Sequence, residues 1–215
     1  MLLNILGDSI STYDYIIPMG NASAYPFFDV DEPGKTWWGK LLKYTDWSLG
    51  RNDSYSGARI TKAVPWMPSW SSFTSPKRIK NVLGADVLIV FGGTNDFGTI
   101  YLLPTIEEFK KAYTELLDTI LSQNPQTKCC FCTPTQRTDI LLETPNRKGV
   151  SLLDIQNCMR ELINERDQAL LIDLGKRPIT DEMNCLNDGL HPNAKGMDCI
   201  GSWVIEDLKK LNIIH

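Results

Sequence analysis

Short apolar runs alternating with longer amphipathic stretches constrain this chain more than any other feature. Strands buried on both faces need helices to cover them and long crossovers to join them, so the pattern predicts a parallel sheet between helical layers. Residues 2–6, 87–91, 128–132 and 169–173 read as buried strands, with a weaker candidate at 47–51. Residues 106–122 carry Phe109, Tyr113, Leu116, Leu117 and Ile120 at spacings of three and four, bounded by Pro104-Thr105 and Asn124-Pro125, and so predict a helix. The same periodicity predicts helices at 151–166 and 195–211, with shorter ones at 37–43 and 76–82. Two long segments, 12–35 and 59–75, follow neither pattern; such segments in an α/β domain serve as binding loops at the carboxyl ends of the strands.

No repeat or linker interrupts the 215 residues, which read as one domain, 1–215. Lys plus Arg is 22 against 26 for Asp plus Glu, and no basic run occurs, which excludes a phosphate backbone as partner. The longest apolar run, Val87–Phe91, is far short of a membrane span. The first residues run into Gly7-Asp8-Ser9 without a signal-peptide pattern, so the chain as given reads as cytoplasmic, or extracytoplasmic if a leader has been removed. Of six cysteines, three crowd one predicted strand, where alternation sends Cys130 and Cys132 to one face and Cys129 to the other; all six read as reduced and structural, with no metal site.

Four short motifs carry chemistry. Ser9 follows the first strand and Gly7 directly, a position that exposes a hydroxyl on a tight turn; the alternative is that Asp8 or Ser9 caps the next helix. A serine hydroxyl needs a base. Only His191 and the terminal His215 supply imidazole, and His191 stands in Asn187-Asp188-Gly189-Leu190-His191-Pro192. An acid three residues before a histidine can accept its Nδ1 proton across a turn, leaving Nε2 to take a proton from a hydroxyl. Alternatively, Asp188-Gly189 is only a turn and His191 a surface residue. In Gly92-Gly93-Thr94-Asn95-Asp96, the glycines permit close approach of a ligand and the Asn95 amide can donate to an oxyanion, or Asn95 and Asp96 shape a turn. In Asn52-Asp53-Ser54-Tyr55-Ser56-Gly57, Gly57 can offer a backbone N–H to the same oxyanion, or the segment is only a polar loop.

Taken together and in this order, the four motifs resemble the four blocks of the SGNH hydrolase superfamily, also called GDSL-type esterases and lipases. The resemblance spans residues 7–191; the first block reads Gly-Asp-Ser-Ile where the eponymous pattern has leucine. It implies a flavodoxin-like three-layer α/β/α fold with a five-stranded parallel sheet, and a carboxylic ester hydrolase that uses no cofactor. It further implies Ser9 as nucleophile, Asp188 and His191 as its triad partners, and an oxyanion hole formed by the Ser9 and Gly57 N–H groups and the Asn95 side chain.

Substrate selection falls to the irregular loops. Tyr13, Tyr25, Trp37, Trp38, Trp66 and Trp70 lie in or beside them. An indole packs against the apolar face of a sugar, so small acyl esters, acetyl above all, on a carbohydrate are the expected substrates, with Trp66, Trp70 and Asp8 as binding residues; Trp37 and Trp38 are expected to be core. A lysophospholipase or thioesterase, or an idle sugar-binding module of the same fold, are the alternatives. No Walker-type or dinucleotide-binding glycine pattern is present.

Overall fold

The computed structural model describes residues 1–98, 102–184 and 188–215. Five parallel strands form one sheet: β1 (Leu2–Gly7), β2 (Ser48–Ser54), β3 (Val87–Phe91), β4 (Lys128–Cys132) and β5 (Ala169–Ile172), in the order β2-β1-β3-β4-β5. Residue pairs such as Leu6↔Val90 and Val90↔Phe131 set the register, so β1 and β3 end level at Gly7 and Phe91. Every residue of β3 is buried, as expected of a strand covered on both faces.

Among the described residues the α-helices are α1 (Trp37–Thr45), α2 (Pro76–Asn81), α3 (Thr94–Gly98), α4 (Ile106–Gln123), α5 (Leu152–Asn164) and α6 (Ala194–Lys210). The strand alternation sorts the core into two halves. Leu6, Leu88, Val90, Cys129 and Phe131 meet apolar residues of α2, α4 and α5. Ile5, Ile89, Phe91, Cys130 and Cys132 meet those of α1 and α6. Cys129 thus faces away from Cys130 and Cys132, as alternation predicts. Burial pushes these thiols up, Cys129 to about 11, which keeps them protonated and unreactive. Cys185 and its expected structural role lie outside the described residues.

Local sequence explains most element ends. Thr105 and Glu108, and Ser151 and Asp154, form reciprocal capping boxes at the starts of α4 and α5, and Asn193 accepts from the Gly196 N–H at the start of α6. Two boundaries differ from the sequence reading. The weak strand at 47–51 is the edge strand β2 and extends to Ser54; its inner residues are polar because Asn52 and Asp53 bond to neighbouring segments, so no apolar run marks it. Residues 94–98, to which the sequence reading assigned no helix, make the single helical turn α3. Segments 12–35 and 59–75 contain short 3-10 turns at Pro33–Lys35 and Ser69–Ser71 and an isolated antiparallel bridge between Phe27 and Val30.

Candidate active site

Ser9 opens a 3-10 turn (Ser9–Ser11) directly after β1, capped by Asp8, whose Oδ1 accepts from the Ile10 N–H at 3.1 Å. Asp8 therefore caps the turn, and Ser9 stands at the strand end but is only 3% exposed, where the sequence reading expected an exposed hydroxyl. Asp8 is fully buried, so the structure places it beneath the turn and corrects its expectation as a substrate contact. Its Oδ2 is buried with no hydrogen-bond partner among the described residues. Burial pushes the carboxyl up to about 7 against the pull of the Ile10 N–H and the Arg78 charge, with the Asp96 carboxylate adding to the rise.

The Asn95 block packs under the Gly57 segment. Asn95 Nδ2 donates to the Ala58 carbonyl at 3.0 Å, and the next residue, Asp96, accepts from the Ile60 N–H, the Thr61 N–H and the Thr61 hydroxyl at 2.8, 3.0 and 2.6 Å. Burial raises the Asp96 pKa in spite of these bonds and of Arg59, whose Nε lies 3.6 Å away. Asp96 was read only as a possible turn residue, yet it ties residues 60 and 61 to α3, as Asn95 ties Ala58, the residue after Gly57. Gly57 has φ +81° and its N–H donates to no described residue, nor does the Ser9 N–H. Gly92 serves differently from expectation: a Cβ there would lie 2.2 Å from the Phe73 ring, so its close approach is to the chain's own core and not to a ligand.

Asp188 and His191 lie just before α6, well past the end of β5, so this block does not sit at a strand end as the other three do. Asp188 Oδ1 accepts from the Leu190 and His191 N–H groups, each at 2.7 Å, and Oδ2 meets His191 Nδ1 at 2.7 Å. Burial opposes ionisation of Asp188, but the His191 ring and these N–H groups outweigh it and hold the carboxyl below the usual range. Nε2 of His191 is buried with no hydrogen-bond partner among the described residues. The turn requires Gly189, with φ +64°, because a Cβ would lie 2.6 Å from the Asp139 backbone nitrogen. Asn187 lies outside the described residues.

No hydrogen bond joins Ser9 to His191; apo catalytic contacts are often long. A relay of hydrogen bonds connects their segments instead. The Ser9 carbonyl accepts from the Thr12 N–H and hydroxyl, Thr12 Oγ1 accepts from the Ala24 N–H, and the Tyr25 hydroxyl donates to the Pro192 carbonyl at 2.8 Å. The Tyr25 ring also stands edge-on to that of His191, centroids 6.4 Å apart. Tyr25 in this role was not singled out in the sequence, since its partner is 167 positions away.

The aromatic residues divide. Trp37 and Trp38 are core, as expected, their indole N–H groups donating to Ser11. Trp70 packs edge-on against Tyr55, and Lys77 Nζ lies 3.9 Å from its ring centre. Trp66 is 62% exposed. Among the described residues no helix is long and apolar enough to cross a membrane.

The fold and motif order define the class. The family model for GDSL-like lipases and acylhydrolases matches residues 1–161, so the chain belongs to that family and is an esterase. The match stops short of Asp188 and His191. Among solved structures, it is similar to a GDSL-like lipase from Bacteroides ovatus at 26% identity and a TM-score of 0.71, over 97% of this chain and 98% of that one. A GDSL-like lipase from Bacteroides uniformis shares the fold at 24% identity and a TM-score of 0.72, over 97% and 95%. So does an active-site mutant of a family two carbohydrate esterase from Clostridium thermocellum, at 16% identity and 0.66, over 97% of this chain and 63% of that one. No curated protein matches in sequence.

Proposed function

We propose that the chain hydrolyses small acyl esters, acetyl above all, on carbohydrate alcohols through Ser9, His191 and Asp188. The observation that carries the reading is the 2.7 Å contact between Asp188 Oδ2 and His191 Nδ1, with Nε2 buried and unpartnered. A carboxylate in that place holds the proton on Nδ1 and leaves Nε2 as the base. Ser9 Oγ attacks the ester carbonyl as Nε2 takes its proton; the oxyanion receives the Ser9 and Gly57 N–H groups and the Asn95 amide. His191 returns the proton to the leaving alcohol, and water then repeats the sequence on the acyl-enzyme. The bond from Asn95 Nδ2 to the Ala58 carbonyl fixes the plane of the amide. Exposed Trp66 supports a sugar-stacking contact; Trp70 supports it less, its ring lying against Tyr55 and Lys77.

The test is acetate release from acetylated oligosaccharides and from 4-nitrophenyl acetate by the wild-type protein and Ser9→Ala. The variant is expected to lose roughly 10^4-fold or more in kcat. Wild-type turnover by Ser9→Ala would sink the nucleophile assignment, and a preference for octanoyl over acetyl esters would sink the small-acyl assignment.

A further inference from the structure

Beside the segment that carries Gly57 lies a groove of about 930 Å³ that the proposed reaction does not use. Its floor is apolar, from Leu103, Pro104 and Ala112, and its sides carry five cations: Arg59, Lys62, Lys111, Arg147 and Lys148. Only two carboxylates face them, Glu108 and Glu115, and Glu108 is engaged in capping α4 through the Thr105 N–H. The groove is therefore positive on a chain whose net charge is −4.

Four of the five cations are also unspent. Elsewhere Lys35, Lys40, Lys110, Arg160, Arg166 and Lys195 each hold a carboxylate. Among the described residues, Lys62, Lys111, Arg147 and Lys148 form no ion pair. Arg59 differs: it is only 3% exposed and pairs with the buried Asp96 carboxylate 3.6 Å from its Nε. Unpaired cations converging on an apolar cleft attract an anion and discriminate against neutral ligands.

Arg59 joins this groove to the reaction. It follows Ala58, whose carbonyl holds the Asn95 amide, and Asp96 binds the next two residues. None of Ser9, Gly57, Asn95 and His191 lines the groove, so it falls to a part of the alcohol portion remote from the acyl group. We infer that the groove binds an anionic saccharide, so that the enzyme deacetylates sugars bearing carboxylate or sulfate groups in preference to neutral ones. This rests on the small-acyl esterase reading above.

Two measurements separate the two readings. In Ser9→Ala, calorimetric titration with trigalacturonate, a sulfated trisaccharide and cellotriose reads the groove without catalysis. Either anion, or both, should bind more tightly than cellotriose, and Lys111→Glu with Lys148→Glu should weaken that binding by about tenfold, as raised salt should. In the catalytic protein the same double substitution should lower kcat/KM for the acetylated anionic saccharide by a similar factor and leave 4-nitrophenyl acetate hydrolysis unchanged. Equal binding of cellotriose and both anions, or anion binding that survives the charge reversal, would overturn the groove assignment. Absent hydrolysis of every ester alongside charge-dependent binding would overturn the esterase reading and leave the groove standing.

Discussion

Ser9 and Asp96 occupy the half of the site formed where β1 and β3 end, and both are almost wholly enclosed; Asp188 and His191 occupy a loop whose side chains stay 30% and 23% exposed. The first half is fixed by burial and by bonds to distant segments, from Asp96 to residues 60 and 61 and from the buried Arg78 to the Gly7 carbonyl at 2.7 Å. The second is fixed largely by bonds within four residues, and its outside ties among the described residues include the Gly189 carbonyl accepting from the Thr138 N–H and the Pro192 carbonyl accepting from Tyr25. A change in the first half is therefore expected to cost stability and activity together, and a change in the second to cost activity with the fold kept.

Five substitutions press on that contrast. The largest expected effect is His191→Ala, which should lower kcat by roughly 10^4-fold with little change in thermal midpoint; a collapse in stability would erase the difference between the halves. Next is Asp96→Ala, expected to cost about 3–5 kcal/mol in denaturant unfolding, since it strands the Ile60 and Thr61 donors and the Arg59 charge. Its activity should fall as well, as should that of Asn95→Ala, by on the order of a hundredfold.

Asp8 gives a pH-dependent test. Below its ordinary value of 3.8 the carboxyl is protonated folded or unfolded; between there and about 7 only the unfolded chain ionises. Asp8 therefore contributes stability at low pH that is lost as pH rises through about 7, by up to a few kcal/mol. Asp8→Asn should flatten the stability profile over that window, and an unchanged slope in unfolding free energy would refute the assignment. Smallest is Tyr25→Phe, which removes the hydroxyl bond to Pro192 and should cost about 1 kcal/mol and lower kcat severalfold with KM unchanged. If KM rose instead, Tyr25 would be contacting substrate and not aligning the His191 loop.

The contrast also explains what the sequence made legible. Strand β3 is apolar throughout and β4 is apolar after Lys128, so both announce themselves, and Asp188 and His191 are near neighbours whose pairing follows from spacing alone. Edge strand β2, reading Ser-Leu-Gly-Arg-Asn-Asp-Ser, has no apolar run because its polar side chains are satisfied by Ser11 and Arg78 from remote segments. Arg78 itself reads as part of a solvated Lys-Arg-Ile-Lys helix face, yet it is among the most deeply buried side chains. Long-range polar bonds of this kind leave no periodicity, which is why the supports of Ser9 were invisible while the partners of His191 were not.

The scarcity of imidazole has a practical outcome. With two histidines, one of them terminal, a sample labelled with nitrogen-15 at histidine alone would show two ring systems, and His215→Ala would remove one of them. The survivor should display a strongly deshielded Nδ1 proton shared with Asp188, turning the proposed base into a built-in spectroscopic gauge of occupancy, tautomer and inhibitor binding.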